Sequence, residues 1–145
     1  MVQNSLVNDQ LENGAQFLDA LVEHGYDLQV AFWVKQADDE RWFLYIGSPM
    51  VDAKGAASAY GLAIQIMRNR PDLRIDLLDV KMVGMKDSLA AAVRNLLEPK
   101  VREAQDAIPN AKPYPGPTWY RGPALGGVSI DGAYIYPPLR SGASV

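Results

Sequence analysis

The hydrophobic positions fall into blocks whose spacing changes along the chain. From 10 to 23, Leu11, Ala15, Leu18, Leu21 and Val22 recur at helical spacing and form one apolar face. His24 and Gly25 follow as a helix stop. From 28 to 36 the period drops to two, with Val30, Phe32 and Val34 on one side and Ala31, Trp33 and Lys35 on the other. From 42 to 46 the pattern repeats, Trp42, Leu44 and Ile46 opposing Phe43 and Tyr45. A polar stretch at 37–41 joins the two runs, so they predict a β-hairpin. Both of its faces carry large apolar groups, which calls for helices over one face and partial cover of the other by chain, ligand or partner.

Ala56, Ala59, Tyr60, Ala63 and Met67 return to the helical period and predict a helix over 53–70, with Asp52 as N-cap and Pro71 just beyond its end. A third strand is expected over 73–85. Its apolar side switches near Leu77 and Leu78, the sign of a bulge or of a strand apolar on both faces. Strand–helix–strand from 42 to 83 allows a crossover and a parallel pair. Asp87 or Ser88 caps a further helix with Leu89, Ala92, Val93, Leu96 and Leu97 inward, and Pro99 either kinks it or opens a second segment at 100–107.

Beyond 109 the composition shifts to Pro, Gly and Tyr. Short strands are expected at 118–121 and 133–136, closing as a hairpin or projecting as an arm, with a frayed end at 139–145. These elements predict an α+β fold: a mixed, mainly antiparallel sheet with about three helices packed largely on one face. The domain expectation is a single α+β unit over 1–145 that carries a Pro/Gly/aromatic-rich C-terminal arm at about 110–145.

Composition narrows the function classes. The chain has 145 residues, 48% hydrophobic and 21% charged, with a formal net charge of -3. Mild acidity does not suit a coat for nucleic acid or anionic membrane. With no cysteine and one histidine, thiolate chemistry and Cys-containing metal sites are excluded. No secretory signal or membrane-spanning run is evident, so a cytoplasmic location with no membrane partner is expected.

Candidate chemistry is sparse. Asp38, Asp39 and Glu40 read as a solvated turn, and His24 as a helix-end histidine, so no metal site and no cofactor are expected. Pro71-Asp72 followed by Asp79-Val80-Lys81 resembles the motif of the PD-(D/E)xK nucleases, although both acids fall within one strand and its entry. That resemblance implies Mg²⁺-dependent phosphodiester cleavage using Asp72, Asp79 and Lys81 as weak catalytic candidates. The more concentrated signal is aromatic. Trp33, Trp119, Tyr120, Arg121, Tyr134 and Tyr136 are the residue types that dominate binding hot spots.

Two function classes follow. The first is a non-catalytic protein-binding or assembly subunit, with a protein partner or a second copy meeting the hairpin face and the aromatic arm. The alternative is the Mg²⁺-dependent phosphodiesterase. Nucleic-acid binding by base stacking stands behind both.

Overall fold

The computed structural model describes residues 8–107 and 118–137. The expected features at 110–117 and 138–145 lie outside the described residues. The architecture is α+β, as the periodicity predicts. Four α-helices, three of them seven residues or longer, accompany a mixed, mostly antiparallel sheet among the described residues.

Helix α1 (Asn8–Glu23) buries Phe17, Leu18 and Leu21 and ends where Gly25 takes a positive φ of 82°. Strands β1 (Val30–Gln36) and β2 (Phe43–Gly47) form the expected antiparallel hairpin, with Trp33 opposite Leu44.

The next helix departs from expectation. It is two helices, α2 (Pro49–Lys54) and α3 (Ala56–Asn69), separated by Gly55 at φ 90°. Ser48, not Asp52, caps the first turn, its hydroxyl accepting the Met50 N–H at 3.1 Å, and Pro49 fits where no amide hydrogen is needed. Asp52 lies inside α2, and its carboxylate accepts the Met85 N–H at 2.7 Å.

The strand expected over 73–85 is also shorter. Only β3 (Val80–Val83) is strand, and a 3₁₀ turn at Leu77–Asp79 precedes it. That turn, capped by the Asp76 carboxylate on the Leu78 N–H, produces the switch of apolar side and leaves Leu78 75% exposed. β3 pairs with β2 in parallel, so α2 and α3 form the crossover.

Helix α4 (Ser88–Ala107) starts with the Asp87 carboxylate accepting the Leu89 and Ala90 N–H groups, and its backbone runs on through Pro99. Strands β4 (Thr118–Tyr120), β5 (Ala124–Leu125) and β6 (Val128–Ile135) follow. The sheet order is β3-β2-β1-β6-β4, with β5 pairing beside β6. β6 inserts between β1 and β4, so the C-terminal residues supply an interior strand.

Two cores flank the sheet. On one face α1, α2 and α3 pack over Ala31, Trp33, Leu44, Ile46, Val80 and Met82. On the other, Leu89, Ala90, Val93 and Leu97 of α4 cover Val30, Phe32, Val34, Ala133 and Ile135. The hairpin's two apolar faces are thus both covered by the chain's own helices.

Candidate binding surface

The sheet register sets the candidate residues in a row. Trp33 lies opposite Tyr134, and Tyr134 opposite Trp119, so these side chains share one face across β1, β6 and β4. α1 crosses part of that row. Beneath it Trp33 is 2% exposed, and its indole N–H donates to the Tyr136 hydroxyl at 2.8 Å. The Tyr136 hydroxyl donates in turn to the Leu11 carbonyl of α1 at 2.8 Å. Burial pushes the Tyr136 phenol well above the usual tyrosine range, only partly offset by the Trp33 bond, so it stays a protonated donor. Gly14 lets α1 sit this low, since a Cβ there would run into the Tyr136 hydroxyl.

Beyond the edge of α1 the aromatic row comes to the surface. Tyr136 and Tyr134 meet edge to face at 5.3 Å, Tyr134 and Trp119 at 4.8 Å, and Trp119 and Trp42 at 6.5 Å. Trp42 reaches this row over Gly132, where a Cβ would already touch its indole at 3.4 Å. Trp119 is 44% exposed, and the Arg121 guanidinium lies 5.9 Å from its ring centre. Edge-to-face contacts fix each ring's orientation, so the shelf is preorganised.

The shelf continues into a cleft of about 450 Å³ between α1 and the end of β6. Leu11, Ala15 and Leu18 form its helix wall, Tyr134, Tyr136 and Pro137 its sheet wall, and Glu12 and Asp19 its acidic rim. Partial burial, and then the charge of Glu23, push the Asp19 carboxyl above the usual carboxylate range. Leu11 and Ala15 belong to the helical period read from the sequence, yet both are only half-buried. The apolar stripe of α1 is wider than the sheet beneath it, and the surplus lines the cleft.

The remaining candidates go elsewhere. Tyr120 points to the opposite face, packs against the α4 core and donates to the Ala124 carbonyl at 2.8 Å. Asp72 is held by Arg70 through two bonds of 3.0 and 2.9 Å, which lower its carboxyl below the usual range. Asp79 is ion-paired with Arg41. The Lys81 ammonium lies 4.9 Å from the centre of the Phe43 ring. Each acid of the nuclease-like motif therefore has its own arginine. No group of three or more His or acidic side chains able to hold a metal occurs among the described residues.

Neither Trp42 nor the cleft is legible as a site in the sequence. Alternation places Trp42 in the hairpin, and only the register of β4 and β6 brings Trp119 to it. The chain matches no family model, and no curated protein or solved structure matches it.

Proposed function

We propose that this chain is a non-catalytic binding subunit of the cytoplasm that docks a protein partner on the shelf of Trp42, Trp119 and Tyr134. The observation that carries this reading is Trp119. It is a large aromatic side chain left 44% exposed yet braced by Trp42, Tyr134 and Arg121. A rigid indole loses little freedom when covered, which is why tryptophan dominates interface energetics. The adjoining cleft offers an apolar recess for a side chain of the partner.

The hairpin contributes only Trp42, at the entry to β2, because α1–α3 and α4 cover the two faces of its strands. No described helix is long and apolar enough to cross a membrane. Catalysis by Asp72, Asp79 and Lys81 has less support, since it would require two arginine pairs to break. Nucleic-acid stacking has less support too, because Glu12 and Asp19 edge the adjoining cleft.

The test is native mass spectrometry of gently purified wild-type protein and Trp119→Ala, run in parallel with thermal melts. The wild type should retain a second copy or a protein partner. Trp119→Ala should melt at the same temperature and bind roughly 30-fold more weakly, the effect of losing one hot-spot anchor. A wild-type protein that runs as a bare monomer, or a variant that associates as tightly as the wild type, overturns the proposal.

A further inference from the structure

The shelf and its cleft carry opposite charge at their two ends. At the Trp119 end the Arg121 guanidinium lies 5.9 Å from the indole ring centre. At the other end Glu12 and Asp19 rim the cleft, across from Pro137. The ion pairs among the described residues are Lys35–Asp131, Arg41–Asp79 and Arg70–Asp72. No described basic side chain therefore answers Glu12 or Asp19, and no described carboxylate answers Arg121. Whatever covers the aromatic row meets a cation at one end and two anions at the other.

The form of the cleft narrows what fits it. Glu12, Ala15 and Asp19 fall on one stripe of α1, three and four residues apart. The two acidic residues stand about 10 Å apart along the helix, with only the Ala15 methyl between them. Behind that notch Leu11 and Leu18 form the helix wall, and Tyr134 and Tyr136 the opposite one. An apolar recess with an anionic mouth matches a long apolar stem that ends in a cation, which is the form of a lysine or arginine side chain. A neutral apolar side chain leaves both carboxylates unanswered, and an acidic one is repelled. Asp19 favours the same occupant. Partial burial, and then the Glu23 charge, disfavour its ionised form, and a cation at the mouth offsets that penalty.

We infer that the partner presents a basic segment and that one of its lysine or arginine side chains lies in this cleft, with the cationic head between Glu12 and Asp19. The inference rests on the shelf reading and supplies the partner's chemistry. It also orients the partner, because Arg121 repels the same basic residue from the Trp119 end.

The test is amide NMR of the full chain, titrated with n-butylammonium, with n-butylguanidinium and, as the neutral match, with n-butanol, all at constant ionic strength. The Ala15 and Asp19 amides should shift saturably with at least one cationic probe. That probe should bind about tenfold more tightly than n-butanol, the effect of one charge-assisted contact. The tighter cation tells a lysine occupant from an arginine. Glu12→Gln/Asp19→Asn should lower the cation's affinity to that of n-butanol and leave n-butanol unchanged. Both residues are exposed, so this variant should melt with the wild type. Equal affinity for cation and alcohol, a cation unaffected by the double variant, or no saturable shift with any probe overturns the inference. Native mass spectrometry of the retained partner separates the two readings. Loss of the partner in Trp119→Ala but not in the double variant overturns the basic occupant and keeps the shelf. Loss in the double variant alone overturns the shelf and keeps the basic occupant.

Discussion

Tyr136 carries the most consequence per atom. Its hydroxyl accepts from Trp33 and donates to Leu11, so one oxygen joins β1, the strand-following segment and α1. Removing it by Tyr136→Phe preserves the ring's packing but leaves an indole N–H and a backbone carbonyl without partners under α1. We expect a loss of about 2 kcal/mol or more, seen as a melting temperature lower by roughly 6 °C. An unchanged melt would mean that water replaces the hydroxyl. In the sequence Trp33 and Tyr136 stood out as aromatic residues of a binding type. Residue type could not say which of them α1 would cover, because Trp33, Tyr134 and Trp119 occupy one row and differ only in where the helix edge falls.

At the scale of elements, periodicity located the hairpin and the helical blocks well, and it failed where local capping chemistry overrode it. The split at Gly55 and the 3₁₀ turn before β3 both interrupt apolar patterns that look continuous. In each case a short polar side chain, Ser48 or Asp76, satisfies backbone N–H groups earlier than the pattern suggests. The β5–β6 connection follows its chemistry more closely. Leu125 pairs with Val128, leaving a two-residue turn of Gly126 and Gly127 at φ 59° and 80°. Both positions are left-handed, as the hairpin's twist requires. Their surroundings differ. A Cβ on Gly127 meets nothing, whereas one on Gly126 meets the Ser88 carbonyl at 2.5 Å, in the first turn of α4. Gly127→Ala should therefore cost only the backbone term of about 1–2 kcal/mol, and Gly127→Asn less. Gly126→Ala should cost clearly more than either, because α4 must also shift. Chemical denaturation of the three variants checks this order, and equal losses at the two glycines would show that the turn is not seated against α4.

For the whole molecule, the apolar hairpin of the sequence proves to be the middle of a sheet sandwiched between two helical layers. The sequence predicts helices over one face and leaves the partial cover of the other open among chain, ligand and partner. It also leaves open whether the aromatic tail projects as an arm or closes as strands. The pairing of β6 with both β1 and β4 answers the second question for 118–137 and changes what a truncation would mean. Loss of solubility after cutting the tail was a natural signature of a partner-binding arm. With β6 as an interior strand, the same cut removes Ile135 and Ala133 from one core and Tyr136 from the other. A chain ending at 117 also strips β1 of the ladder that runs from Phe32 opposite Ile135 to Lys35 opposite Gly132. Exposed ladder groups and an open apolar face cannot be repaid by the β1–β2 and β2–β3 pairings that remain. We expect the 1–117 fragment to show no cooperative thermal transition and little amide dispersion, at any protein concentration and with or without a partner. Trp119→Ala, by contrast, changes a side chain at the exposed end of the row and should leave folding intact. The pair separates folding from binding: a fragment that melts cooperatively would make β4–β6 an appendage, and the aromatic shelf would then have to be reconsidered as an arm free to dock elsewhere.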